Sequence, residues 1–412
     1  MTLPKELSRD RTFVRLHKSL YGLKQAGELW NQLINKIILA NNFTRSINDV
    51  CLYFKRIDDD IIFLLLHVDD ILIISNNTNK IQEFKSYLST QFVKVKDLGI
   101  PLTRYLSIDI NKSDNNIHSI SISQKEYLQK VVNLRASELT TKTVPASPTI
   151  NLRTLAPGDL PPIYDLVGEA RFLGDRSRPD LLLALSLLGS TMLKPSVTHQ
   201  SEAYRVFQYL KATPALSTHF GGQTIDLLAF SDASYSPEGD SRSQLGYSIF
   251  LNRDSGSFIN RSKKAQTVAD SSAMSEIQAL HLTVNEIIWI RSILREIGYS
   301  LPQPTPIFID NKAAEDLCTT YMNSEKSKHI NMKINKIREA VFYKQVNLIH
   351  IHTSLNVADV LTKPLAYSDF NKFRTAMLYG INYSKLPIPK INSPELINNM
   401  KLLYAKLEIF NS

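Results

Sequence analysis

Acidic residues set at the ends of apolar runs are the features of this sequence best suited to chemistry. Leu227-Leu-Ala-Phe-Ser-Asp-Ala-Ser234 reads as a buried strand that delivers Asp232 to its end, and Pro306-Ile-Phe-Ile-Asp310 repeats the arrangement. Glu276 falls in the opening turns of an amphipathic stretch, and Asp359 follows the alternating run Val346 to Thr353. Each acid alone reads as a solvated surface residue. As an ordered set they can converge, because ligands of open sheets with helical connections gather outside the strand ends. Two divalent cations roughly 3.5–4 Å apart need such a set, since carboxylates must offset about four positive charges. A second candidate is Asp69-Asp70, lying between the apolar runs Ile61–Val68 and Ile71–Ile74. Taken alone it is a hairpin with an acidic tip, because acids between buried strands require either an exposed turn or bound cations.

The elements that would carry these acids follow from periodicity. Ser271 and Ser272 can cap a helix running to Ile297, with apolar residues at Ile277, Leu280, Val284, Ile287, Ile288, Ile290 and Leu294 and a stop at Gly298. Asn311 to Thr320 reads as a further helix, and Ser354 to Leu365 carries Asp359 after the Val346–Thr353 strand. Upstream, Trp30, Leu33, Ile34, Ile37 and Ile38 make one face of a helix over 28–43, ended by Asn41-Asn42, and Asp58 to Asp60 form a turn. Ile120 to Asn133 reads as strand then helix, and Thr143 to Pro162, rich in Pro, Thr and Ser, as a linker or extended segment. Leu181 to Leu193 belongs in a core, and Phe370, Phe373, Met377 and Leu378 recur at helical spacing.

The chain's 412 residues suffice for two or three domains, and 43% hydrophobic residues is ordinary for globular protein. A formal net charge of +9 favours a polyanion partner, weakly when taken alone. Cys51 and Cys318 lie too far apart in sequence to suggest a disulfide framework, so a reducing compartment is expected. The amino terminus lacks a signal-peptide core and the apolar runs are too short to span a bilayer, so the protein is expected to be soluble. Repeats, Cys/His zinc patterns, Gly-rich phosphate loops and a Ser-His-Asp set are absent.

Several blocks carry a resemblance. Ser231–Ser234, Asp240–Tyr247, Ser262–Ala269, Ser271–Glu276, Ile309–Ala314, Lys328-His-Ile330 and above all Ala358-Asp-Val-Leu-Thr-Lys-Pro-Leu365 resemble the ribonuclease H domain of copia-type LTR retrotransposon Pol polyproteins. The resemblance implies a mixed five-stranded sheet with flanking helices and a two-metal nuclease. Matched position by position, Asp232, Glu276, Asp310 and Asp359 fall on the family's metal-binding acids, the ions being Mg²⁺ or Mn²⁺. One ion, held by Asp232, Asp310 and Asp359, would lower the pKa of a bound water. The other, shared through Asp232 and Glu276, would stabilise the leaving 3′ oxygen. The family's Ser-Thr-Glu-Ala-Glu reads Ser272-Ala-Met-Ser-Glu276 here, so its first acid is lost and its second kept.

Lys18–Ala26, His67-Val-Asp-Asp70 and Lys96-Asp-Leu-Gly99 look like the palm of the copia-type reverse transcriptase, which makes Asp69 and Asp70 two of three metal-holding carboxylates. His67 replaces the family's tyrosine, and the third acid and the fingers belong upstream of Lys18, so this chain alone is expected to lack DNA polymerisation. Tyr164–Gly168, Ser177–Ala184, Thr198-His199 and Arg205–Thr213 resemble the connection region. The expected division is a partial reverse transcriptase palm over 1–125, a thumb and connection region over 126–222, a ribonuclease H-like domain over 223–366 and a helical, partly disordered tail over 367–412.

The fold class is thus α/β, and the function implied is hydrolysis of the RNA strand of RNA–DNA hybrids, with RNA template, DNA and other Pol or Gag products as partners. Localisation follows as cytoplasmic, within a virus-like particle where the element is active, or nuclear. A catalytically inactive relic or domesticated nucleic-acid-binding protein is the alternative. Resolvase or integrase chemistry on the same fold is disfavoured by the Thr362–Leu365 block and the palm blocks. His329 reads as a surface residue at a helix start, His350 and His352 as outward-facing, Lys263 and Lys264 as solvated, and Tyr21 and Trp30 as core.

Overall fold

The computed structural model describes residues 19–20, 22–113, 116–222, 224–235, 242–319 and 328–382. Val14 to Lys18, Tyr21, Asp240, Ser241, the tail from Tyr383 and the side chain of His329 lie outside the described residues. The chain forms two compact units that divide after Asp97.

In the first unit, helix α1 (Ala26–Ala40) and helix α2 (Thr78–Gln91) accompany an antiparallel sheet of β1 (Thr44–Arg45), β2 (Leu52–Ile57), β3 (Asp60–His67) and β4 (Asp70–Ser75), paired in that order. Ile34, Ile37 and Ile38 of α1 meet Tyr53, Ile62, Leu64, Leu66, Phe84 and Leu88 in one core. Burying each such side chain contributes about 1.5–3 kcal/mol. The turn between β3 and β4 is two residues long, with His67 opposite Asp70 and Val68 at φ 56°. A β-branched residue in that region is strained, and the turn is held from outside. Trp30 Nε1 donates to the Val68 carbonyl at 2.6 Å while its ring meets Phe92. Trp30 is therefore half-buried and supports the turn as well as the core.

The second unit is built on a five-stranded sheet. In chain order it contains β5 (Arg104–Tyr105), β6 (Ile108–Ser113), β7 (Asn116–Ser123), α3 (Lys125–Ala136), α4 (Tyr164–Gly174), α5 (Leu182–Gly189), α6 (Val197–Ala212) and β8 (Thr218–Phe220). There follow β9 (Leu228–Ser234), β10 (Gln244–Phe250), β11 (Ser257–Lys264), α7 (Ser272–Glu296), β12 (Thr305–Ile309), α8 (Lys312–Thr319), α9 (Lys328–Phe342), β13 (Val346–His350) and α10 (Tyr367–Tyr379). The large sheet has the order β11-β10-β9-β12-β13, antiparallel on the β10 side of β9 and parallel on the β12 side. This is the mixed sheet that the family resemblance implied.

Alternation along the central strands divides the core into two layers. Leu228, Phe230, Phe250 and Phe308 face a layer that includes α3 to α6 and α10. Leu227, Ala229, Ile249, Ile307 and Ile309 face α7, α8 and α9. Both faces of the sheet are covered, so its middle strands are buried almost throughout, and Asp232 is the one acid within β9.

Two segments of the second unit are placed by contacts between distant residues. Residues 104–123 pair through β7 with β8, Ile120 opposite Phe220 and Ile122 opposite Thr218, within the second unit. Of the two forms expected for Thr143–Pro162, linker or extended segment, the structure shows an irregular segment docked on its unit. Val144, Ala146 and Leu152 are buried, and the Ser147 N–H donates to Glu202 Oε2 at 2.9 Å. A short apolar residue every few positions and one buried acceptor are enough to dock an irregular segment.

Candidate metal centre

Asp232 reaches the site from β9, the middle strand of the sheet, with 1% of its surface exposed. β12 runs parallel beside it with Ile307 opposite Ala229 and Phe308 opposite Phe230, so the same register sets Asp310 level with Asp232. Glu276 comes from the second turn of α7, which packs on β9 and is capped by Ser271, whose Oγ accepts from the Met274 N–H. One carboxylate oxygen from each of Asp232, Glu276 and Asp310 lies within 4.8 Å of the others. Asp69 and Asp70 belong to the first unit, are exposed, and among the described residues stand with no third acid at metal-holding distance.

Asp359 joins from a short helical turn, Val357–Leu361, after β13. Asn356 fixes that turn to the central strand by donating to the Ser231 carbonyl at 3.1 Å. The Thr362 hydroxyl lies within reach of Asp232 Oδ2 and, at 3.1 Å, of the Asp359 carbonyl, donating to one at a time. Lys363 Nζ stands 3.3 Å from Asp359 Oδ1 and 3.5 Å from Asp232 Oδ2. Three of the four expected acids therefore share one point, and the fourth is joined to them through Lys363 and Thr362.

This close approach depends on Gly246, opposite Asp232 on β10. A Cβ there would lie 2.6 Å from Thr362 Cγ2 and 2.9 Å from Leu361 Cβ. Gly246→Ala is expected to lower stability by about 1–3 kcal/mol by pushing the Asp359 turn off the sheet. A denaturant melt measures this, and an unchanged midpoint would show that the turn yields freely.

Burial raises the Asp232 carboxyl, with Lys363 opposing and Asp310 adding to the rise. Burial, then repulsion from Asp232 and Asp310, raises Glu276 well above the usual range. Burial and Asp232 push Asp359 up to about 7. Buried like charges at this spacing resist joint ionisation. One oxygen of Glu276 is buried without a hydrogen-bond partner, while the group as a whole accepts from the Ala233 N–H. Hard oxygen donors, surplus negative charge and an orphaned carboxylate oxygen fit Mg²⁺ or Mn²⁺.

The pH dependence follows in sign. These carboxyls have folded-state pKa values above their unfolded ones, so their contribution to stability is full below about pH 4. It is lost as pH rises through the folded values, about 7 for Asp359. A divalent cation binds the ionised form and reverses that loss. Saturating Mg²⁺ is expected to raise Tm by about 5–10 °C at pH 8 and little at pH 5. Scanning calorimetry with and without Mg²⁺ reads this directly, and an equal response at both pH values would contradict it.

Other sequence-stretch expectations also have a place in the structure. His350 and His352 are exposed, and Lys263 and Lys264 are half-buried on β11. One residue before Glu276, the Ser275 hydroxyl meets the Ser243 hydroxyl at 2.6 Å, tying the start of α7 to the segment that enters β10. The sequence reading did not single out Thr362, Lys363, Gly246 or Asn356 for these contacts. Thr362 and Lys363 lay within the most specific block, which was the available signal.

A family described as reverse transcriptase (RNA-dependent DNA polymerase) matches residues 5–151. The chain is 31% identical over 379 residues to the retrovirus-related Pol polyprotein from transposon RE1 of Arabidopsis thaliana, covering 90% of this chain and 25% of that protein. It is 30% identical over 227 residues to a transposon Ty5-1 protein of Saccharomyces cerevisiae, covering 53% of this chain and 72% of that one. The chain belongs to the copia-type retrotransposon Pol family. As a Pol chain it spans about a quarter of the length of the Arabidopsis polyprotein, 25%. The solved structure of LC11-RNase H1 from compost, at 13% identity and a TM-score of 0.28, covers 34% of this Pol chain and 94% of that chain. That likeness is too weak to bear on function. No helix among the described residues of the Pol chain is long and apolar enough to cross a membrane.

Proposed function

We propose that this Pol chain carries a divalent-metal-dependent ribonuclease H that cuts the RNA strand of RNA–DNA hybrids, with the nuclease in residues 223–366 and the connection region before it. The observation that carries the proposal is the meeting of Asp232, Glu276 and Asp310 within 4.8 Å, with a partnerless oxygen on Glu276. These three and Asp359 would hold two Mg²⁺ or Mn²⁺ ions. When bound, such ions supply an activated water and stabilise charge on the leaving 3′ oxygen. The chain's own part is positional. The β9–β12 register sets two acids level, α7 brings the third, and the Asn356 anchor fixes the turn bearing the fourth.

Substrate choice would rest on backbone shape and 2′-hydroxyl contacts, which gives cleavage with little sequence preference. The partners proposed are RNA template, DNA and hybrid, with other Gag or Pol products, in the cytoplasm, a virus-like particle or the nucleus. The same reading has this chain alone inactive as a polymerase, since among the described residues Asp69 and Asp70 stand with no third acid. The test is a hybrid labelled on its RNA strand, incubated with protein and Mg²⁺. Short RNA products that vanish with chelator are expected. Retention of the hybrid without cuts would instead favour a nucleic-acid-binding protein without catalysis.

A further inference from the structure

Lys363 brings an ammonium into an acid cluster that has charge to spare. Its Nζ is 3.5 Å from Asp232 Oδ2 and 3.3 Å from Asp359 Oδ1. It thus spans two acids carried by different elements, the central strand and the turn after β13. The side chains of these acids are 1% and 7% exposed while that of Lys363 is 38% exposed, so the pairing escapes most of the screening that weakens surface ion pairs. The turn supplies the lysine at the right place, because the Lys363 and Thr362 N–H groups both donate to the Asp359 carbonyl, at 3.0 and 3.1 Å.

The direct contacts of Lys363 nevertheless fall on one side of the cluster, on Asp232 and Asp359. Glu276 keeps a buried oxygen with no hydrogen-bond partner, and Asp310 lies with Asp232 and Glu276 at metal-holding distance. Four carboxylates and one ammonium leave a net negative charge when the acids are ionised. The oxygen that Lys363 contacts on Asp232 belongs to the carboxylate any cation in this site must use.

We propose that Lys363 is a resident counter-ion that draws Asp232 and Asp359 together while no divalent cation is bound, and that an entering cation displaces it from Asp232. The inference rests on the metal-site reading of those acids and adds a competitor to it. The flexible four-carbon stem and the solvent-exposed side of Lys363 let the ammonium withdraw without moving the turn. Lys363 then has two opposing effects. It stabilises the metal-free fold, and it weakens the site's affinity for a cation.

Calorimetric titration of Mn²⁺ into the full chain at pH 8 separates these effects, using the parent, Lys363→Gln and Lys363→Arg. Lys363→Gln is expected to bind Mn²⁺ roughly tenfold tighter than the parent, because a positive charge next to the ion is gone. Lys363→Arg, which keeps the charge, stays within about threefold. Without metal, Lys363→Gln melts several degrees below the parent, and the gap closes at saturating Mn²⁺. Equal or weaker affinity in Lys363→Gln overturns the inference and leaves the metal site standing. No binding in any of the three proteins overturns the metal site, and the counter-ion role with it.

Discussion

Asp232→Asn is expected to abolish hybrid cleavage, by about 10³-fold or more, without unfolding the protein. The two side chains have nearly the same shape, and an Asn oxygen can still accept from the Thr362 hydroxyl that approaches Asp232 Oδ2. What is lost is the charge on the central ligand, the acid that the Lys363 ammonium and the Thr362 hydroxyl both approach. What is gained is relief, since Asp232 is among the charges that raise Glu276 and Asp359. At pH 8 without metal, the variant should melt at or above the parent's temperature, even though Lys363 loses one of its two acids. Loss of activity with unchanged or increased stability is the pattern of a functional site whose repulsion is tolerated for its chemistry. Loss of both together would mean that Asp232 is structural. Cleavage at the parent rate would remove the nuclease proposal.

The largest purely structural effect is expected at Arg178. Its guanidinium is fully buried, 2.8 Å from Asp180 Oδ2, and donates to the Thr213 carbonyl and hydroxyl at 3.0 and 2.9 Å. Tyr209 donates to the same Asp180 oxygen, and Arg374 of α10 donates to the Tyr209 hydroxyl at 3.0 Å. Burial alone would raise the Asp180 carboxyl, but the charge and hydrogen bonds of Arg178, with Tyr209, outweigh it and hold the acid below its ordinary range. Arg178→Ala leaves that carboxylate buried with its main partner gone, and is expected to cost about 3–5 kcal/mol. Replacing both partners, as in Arg178→Met with Asp180→Leu, should recover much of the loss. Urea melts of the single and double variants test this. A mild single variant would mean that water reaches Asp180.

The parts of this fold that could be read from sequence are those set by local periodicity. β9, β12 and α7 lie within a residue or two of the runs that marked them, because apolar spacing and the Ser271 cap act over a few residues. The convergence of Asp232, Glu276 and Asp310 could be expected, since acids at the ends of neighbouring strands have few other places to go. What local pattern could not supply was contact between distant segments. β8 is three residues long and pairs with β7 about a hundred positions earlier, and nothing in Thr218–Phe220 announces that partner. Arg178 lay inside a block that resembled the connection region, but its contact with Thr213, 35 positions later, could not be read from local pattern. The Thr143–Pro162 segment left two forms open, because Pro, Ser and Thr suit a docked irregular segment as well as a linker. Lys363 was legible as part of a specific block, but its reach to Asp232 depends on Gly246 leaving room for the turn.

The account depends on one physical event, the capture of a divalent cation by three carboxylates from two strands and a helix. Anomalous diffraction from crystals soaked in Mn²⁺ observes it most directly. The expected result is a peak coordinated by one oxygen each from Asp232, Glu276 and Asp310, with Lys363 withdrawn from Asp232. A map with no peak among those side chains, or with Glu276 turned away from the ion, would contradict it.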